Sequence, residues 1–255
     1  MTVRDDGPVR HLTINRPEAR NALNAGVFDA LEAAFDDVAA GGVRVVVLEG
    51  AGGRAFCAGA DLDELRGLDG IAARELLARG QRVIRRLETL GVPSIAAVRG
   101  WALGGGFELA LACSLVVAGH KARFGLPEAG LGLMPGYGGT QRLTRQAGAK
   151  AALAVMLTGD PVGAARAWEL GLLARPPVED EQVEDAAAEL AARLASRSPS
   201  ALRLILEAVD TAGPQDAGLA HETALAALAT SSADAAEGIA AFLEKRDSAF
   251  AEPPS

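Results

Sequence analysis

Along the first half of the chain, apolar and polar positions switch between the period of a strand and that of a helix. Residues 9–14 alternate and predict a strand, which the turn Asn15-Arg16-Pro17 ends. Asn24 is placed to cap a helix running to about Val38, with Phe28, Leu31 and Phe35 on one face. Residues 43–48 are almost continuously apolar, the pattern of a strand buried on both sides. A glycine-rich loop follows over 50–60, and Asp61 can cap the next element. Leu76, Val83, Leu87 and Leu90 mark a long helix, then residues 95–98 and 115–118 read as short strands flanking an apolar helix at 109–113. Strands and helices alternating through about Ala118 predict an α/β core.

From Thr140 onward the pattern is almost entirely helical. Leu202, Ile205, Leu206 and Val209 recur at helical spacing until Gly213-Pro214 breaks the run, and further helices are predicted over 217–230 and 234–248. Their apolar faces need cover, from the core or from other subunits. No internal repeat and no low-complexity linker stands out.

Composition narrows the class. A chain of 255 residues suits one large domain or a domain with an appendage, and 49% hydrophobic residues are ample for a core. No apolar stretch is long enough to span a bilayer, so no membrane partner is expected. The start Met1-Thr2-Val3-Arg4-Asp5-Asp6 lacks a signal-peptide core, so export is not expected; Cys57 and Cys113, outside any metal spacing, suit a reducing cytoplasm. His11, His120 and His221 have no ligand-like spacing. The net charge of -8 argues against a nucleic-acid partner but leaves room for a local basic pocket.

Two segments carry candidate chemistry. Trp101-Ala102-Leu103-Gly104-Gly105-Gly106-Phe107-Glu108 puts bare glycines at a helix start, where unobstructed N–H groups can face a developing negative charge. Phe124-Gly125-Leu126-Pro127-Glu128 supplies a second carboxylate in a proline turn, which suggests acid and base chemistry beside that charge. A dinucleotide fingerprint fails because Leu109 stands at its third glycine, and neither a phosphate-loop lysine nor a G-x-S-x-G elbow is present. Ala55-Phe56-Cys57-Ala58-Gly59-Ala60-Asp61 offers a second backbone donor at Ala60, just before another helix start. Two donors on one oxygen would hold an acyl thioester and acidify its α-carbon. Singly, each glutamate reads better as a helix-end or turn charge, and the glycines also serve close packing; together within the full motif set, the two glutamates read as catalytic. Cys57 has no histidine partner in its motif and reads as a small packed residue.

In this order and spacing, these segments resemble the crotonase superfamily, most closely enoyl-CoA hydratase. Asn15-Arg16-Pro17 with Asn21-Ala22-Leu23-Asn24, Pro135-Gly136-Tyr137-Gly138-Gly139-Thr140-Gln141-Arg142-Leu143 and Phe242-Leu243-Glu244-Lys245-Arg246 extend the likeness over nearly the whole chain. The resemblance implies a spiral of ββα units over 1–196 and a C-terminal helical oligomerisation region over 197–255 that builds a homotrimer, or a hexamer as a dimer of trimers. It implies an oxyanion hole from the N–H groups of Ala60 and Gly105. Glu108 would deprotonate the attacking water, and Glu128 would protonate the α-carbon of a 2-enoyl-CoA. Ala19, Arg20, Ala58, Asp61, Leu62, Gly136, Phe242 and Lys245 fall at substrate-binding positions. CoA arrives as part of the acyl-CoA thioester substrate, and no further cofactor or metal is implied. The alternatives are an enoyl-CoA isomerase or another thioester-enolate enzyme and, in a different class, a non-catalytic CoA- or RNA-binding scaffold. The chain departs from the family at Asp63 (often lysine), Leu126 (often glutamine), Ser114 (often aspartate) and Tyr137 (often a small residue).

Overall fold

The structure, a computed structural model, describes residues 1–210, 219, 223, 224, 226, 227 and 229–246. It opens with β1 (Thr2–Asp6), β2 (Val9–Ile14) and α1 (Ala25–Ala39). Strand pairs then alternate with helices. β3 (Val45–Gly50) and β4 (Ala55–Cys57) lead to the short α2 (Leu62–Leu65) and the long α3 (Gly70–Glu88). β5 (Ser94–Val98) and β6 (Trp101–Leu103) lead to α4 (Gly105–Ala112). β7 (Leu115–Ala118) and β8 (Arg123–Gly125) lead, through a 3-10 turn at Glu128–Leu131, to α5 (Gly139–Ala147). Then come α6 (Ala149–Thr158), β9 (Val162–Gly163), α7 (Ala164–Glu169), α8 (Val183–Ala195), α9 (Pro199–Asp210) and α10 (Ala233–Glu244).

The first strand of each pair joins a five-stranded sheet of order β1-β2-β3-β5-β7, and the second joins a four-stranded sheet of order β4-β6-β8-β9. Only the outer pairings, β1 with β2 and β8 with β9, are antiparallel. The result is a spiral of ββα units, although the sequence shows no repeat. What repeats is a backbone path, and the strands of the small sheet are too short to carry a recurrent side-chain pattern.

Burial explains the continuous apolar run of β3. Val46 and Leu48 point into the main core with Ala96, Val98, Leu31 and Phe35. Val45 and Val47 point the other way, with Ile95, Ala97 and Val117, and are covered by Val183, Ala187 and Ala191 of α8. Successive strand residues face opposite sides, so a strand covered on both sides must be apolar throughout.

Local signals held where they had a physical cap. Asn24 Oδ1 accepts from Val27 N–H at 3.0 Å and starts α1, and Asp61 caps α2 through Asp63 N–H at 3.4 Å. The expected loop over 50–60 contains β4, whose residues Ala55, Phe56 and Cys57 are all buried and so show no alternation. The helix marked by Leu90 ends earlier, at Glu88. α9 buries none of its residues, and Leu204, Ile205 and Val209 are 55%, 59% and 67% exposed. Gly213-Pro214, much of the helix expected over 217–230 and the end of the last helix at 247–248 lie outside the described residues.

Asn21 ties the entry strand to the small sheet. Its side chain donates to Ala51 O at 3.0 Å and Ala55 O at 2.8 Å, and accepts from Arg16 N–H at 3.0 Å. It is fully buried with φ +59°, a conformation asparagine tolerates better than other residues with a Cβ. Asn21→Ala leaves all three backbone groups without this partner, and we expect a loss of roughly 2–4 kcal/mol in urea unfolding. A change below about 0.5 kcal/mol would deny Asn21 this role.

Candidate active site

β4, β6 and β8 run parallel, so their carboxyl ends share one edge of the small sheet. There the chain passes into Ala58–Ala60, Gly104–Gly105 and Leu126–Glu128. Ligands of open parallel sheets bind outside such ends. A cavity of about 650 Å³ opens at this edge. Ala60, Gly105, Glu108 and Glu128 all line it, as do Ala19, Arg20, Ala58, Asp61, Leu62, Gly136, Phe242 and Lys245. The structure therefore brings together every site residue singled out in the sequence.

Two backbone N–H groups are presented to this space. Leu23 N–H donates to Gly59 O and Leu23 O accepts from Asp61 N–H, both at 2.8 Å. In that parallel bridge the N–H of Ala60 faces away from Leu23. Gly105 is the first residue of α4, so its N–H has no acceptor within the helix. The two loops abut because Gly59, at φ +114°, has no side chain: a Cβ there would stand 3.2 Å from Leu103 O and 3.7 Å from Gly105 N. Among the described residues, neither Ala60 N–H nor Gly105 N–H donates to a protein acceptor.

The carboxylates come from different elements. Glu108 lies in the first turn of α4 and is only 1% exposed. Its Oε1 accepts from Tyr137 N–H at 2.8 Å and Gly139 N–H at 2.7 Å, at the N-terminus of α5. Glu128 starts the 3-10 turn and is half-buried. A Cβ on Gly104 would lie 2.9 Å from Glu128 Oε1, so the glycine triplet also makes room for the second carboxylate. α10 presses on the same turn at Gly238, where a Cβ would meet Leu131 O at 2.1 Å.

Asp61 and the four departures from the family pattern separate cleanly. Asp61 lines the cavity, but its Oδ2 accepts from Arg16 Nη1 and Nη2, each at 3.0 Å, so it also clamps the Ala60 loop. Asp63 is exposed at the cavity edge. Leu126 is fully buried. Ser114 lies outside the cavity lining and bonds to Ser94 across the start of β5. Tyr137 is 2% exposed, with its ring edge-on to Phe28 at 5.5 Å. Burial, and secondarily the nearby Glu108 carboxylate, pushes its phenol far above the usual range. Cys57 and Cys113 are buried, and burial pushes both thiols up to about 12, which leaves neither a thiolate nucleophile near neutral pH.

Sequence reasoning missed the groups that orient the site. Tyr137 N–H and Gly139 N–H are backbone donors and leave no residue signature. Arg16 and Arg142 stood inside motifs whose ionic partners are remote in the chain.

Among the described residues, no helix is long and apolar enough to cross a membrane. The two-sheet spiral with its cavity at the carboxyl ends of the small sheet is the crotonase fold. It superposes on the crystal structure of an enoyl-CoA hydratase from Mycobacterium avium subsp. paratuberculosis with a TM-score of 0.89, at 30% identity and covering 98% of both chains. Residues 5–253 match the family described as Enoyl-CoA hydratase/isomerase, and the chain belongs to that family. It is similar to the short-chain-enoyl-CoA hydratase of Clostridium acetobutylicum, 39% identical over 245 residues, which are 94% of this chain and 93% of that one. It is also similar to the 2,3-dehydroadipyl-CoA hydratase of Escherichia coli, 43% identical over the same shares of each chain.

Proposed function

We propose that this protein is an enoyl-CoA hydratase, a hydro-lyase that adds water syn across a 2-enoyl-CoA to give a 3-hydroxyacyl-CoA. The observation that carries this reading is the convergence of two carboxylates and two unengaged backbone N–H groups on one cavity. The thioester oxygen is taken by Ala60 N–H and Gly105 N–H, at the positive end of α4. Glu108, held by its two backbone donors, accepts a proton as the water oxygen bonds to the β-carbon. As the π electrons move toward the thioester oxygen, whose developing enolate charge the two N–H groups stabilise, protonated Glu128 delivers its proton to the α-carbon in the same event, so that the carbonyl is restored. The two carboxyl groups end with their protonation states exchanged, and solvent resets them.

CoA enters as part of the substrate, with no other cofactor and no metal in this scheme. Arg20 and Lys245 line the cavity and are placed to meet the phosphates of CoA. Asp63 opposes phosphate there, so CoA binding leans on those two cations and on the apolar contacts. The uncovered apolar face of α9 supports association of the 197–255 region, with residues 1–196 as the spiral core, into a homotrimer or a dimer of trimers; the proposed location is the cytoplasm.

The test is turnover of crotonyl-CoA by purified protein, followed as loss of the conjugated thioester with the product identified by mass. Formation of 3-hydroxybutyryl-CoA is the expected result. A shifted double bond without added water would identify an isomerase instead. Tight CoA binding with no turnover across short, long and branched enoyl-CoAs would identify a non-catalytic scaffold.

A further inference from the structure

We propose that Arg142 is a positioning residue for Glu108, acting through the Tyr137 turn, and that Glu88 holds Arg142 in place. This rests on the reading of Glu108 as the group that deprotonates water. Arg142 lies in α5 and is fully buried, an environment in which a guanidinium persists only when its donors are matched. Nε and Nη2 fork onto the Glu88 carboxylate at 3.0 and 2.6 Å. Nη1 donates to Tyr137 O at 2.5 Å. Tyr137 N–H in turn donates to Glu108 Oε1 at 2.8 Å, so the cation and the carboxylate grip opposite ends of one residue.

A separate observation shows that the turn is built around this cation. Gly138 has φ +108°, and a Cβ there would stand 2.0 Å from Arg142 Nη1. Glycine is needed both for the backbone and for the passage of the guanidinium. The arrangement continues outward: Arg85 lies 3.4 Å from Glu88 and donates to Asp210 Oδ2 at 2.7 Å at the end of α9. Arg85 holds the Asp210 carboxyl below its ordinary range. An ionic chain thus runs from α9 through α3 to α5 and ends at the turn that aims Glu108. A buried ion pair is weak evidence for stability, and hydrophobic replacements often match it. Orientation of a carboxylate is a function that hydrophobic replacements cannot reproduce.

The experiment compares Arg142→Lys and the double variant Arg142→Met with Glu88→Leu against the full-length wild-type chain on crotonyl-CoA. Lysine keeps the charge beside Glu88 but cannot fork onto it and reach Tyr137 O together. We expect kcat to fall about 10- to 100-fold in both, because small misplacements of a reacting group carry such costs, with KM changed less than about threefold. The double variant should keep a melting temperature near wild type, which a merely structural role would pair with unchanged kcat. A folded variant of either kind with kcat within about twofold of wild type overturns the inference. So does a crystal structure of Arg142→Lys in which Glu108 Oε1 keeps both backbone donors, whatever the turnover. If Glu108→Gln is inactive while the Arg142 variants match wild type, only the positioning inference falls. An inactive wild-type protein across the enoyl-CoA panel overturns the hydratase reading, and the crystal structure then decides the positioning alone.

Discussion

Glu108→Gln is expected to lower kcat on crotonyl-CoA by about 10²- to 10⁴-fold while leaving the fold intact. Glutamine has nearly the same shape, and its amide oxygen can still accept from Tyr137 N–H and Gly139 N–H. What is lost is the second carboxylate oxygen as a proton acceptor for water. Glu128→Gln should fall in the same range, because the α-carbon then has no acid beside it. The two losses should not add. Residues that act in one concerted event remove most of the advantage when either is missing. The double variant is therefore expected within about tenfold of the slower single variant. Stopped assays with product mass, alongside circular dichroism and melting temperature, would check this. A Glu108→Gln enzyme within about threefold of wild type would remove Glu108 as the base, and full additivity in the double variant would mean that the glutamates act in separate steps.

How much of this was legible in the sequence follows from the length of each signal. β3 was readable because four consecutive residues, 45–48, buried on both faces leave an uninterrupted apolar run. α1 was readable because Asn24 starts it and Phe28, Leu31 and Phe35 repeat along one face. The small sheet was not, since β4, β6 and β8 have three residues each, less than is needed to show a period. Yet those strands set the site, because their shared carboxyl edge delivers Ala60, Gly105 and Glu128. The glutamates and glycines themselves were legible only as a motif set. Their supports were not: the donors to Glu108 come from 29 and 31 residues further along the chain. Asp61 shows the same limit. It lines the cavity as expected, and its side chain also accepts from Arg16, 45 residues away, a partner that its sequence position does not announce.

Gly106→Ala is expected to lower kcat/KM by about 10²- to 10³-fold, although residue 106 has no reacting atom. A Cβ at this position would lie 2.1 Å from Cys57 O and 2.7 Å from Cys57 C. Both are buried backbone atoms of β4, so no flexible side-chain end can yield. Relief requires α4 to move away from β4. Those two elements carry Gly105 and lead into Ala60, so the movement opens the distance between the two N–H groups. An oxyanion hole works only while both donors stand about 2.7–3.1 Å from one developing charge, and a lost donor costs about 10²–10³-fold. Overpacking should also reduce stability by about 1–3 kcal/mol, so activity must be compared at equal folded fraction. Gly26→Ala is the matched control: it lies in the exposed first turn of α1, where the nearest atom to a new Cβ, Asn24 Oδ1, is 3.7 Å away. That control should keep wild-type kcat/KM and stability. A folded Gly106→Ala enzyme with wild-type kcat/KM would show that the α4–β4 contact does not set the donor spacing. A loss confined to the unfolded fraction would assign Gly106 to stability alone. The expected outcome is a properly folded enzyme that binds acyl-CoA and turns it over slowly, because its backbone donors no longer meet on one oxygen.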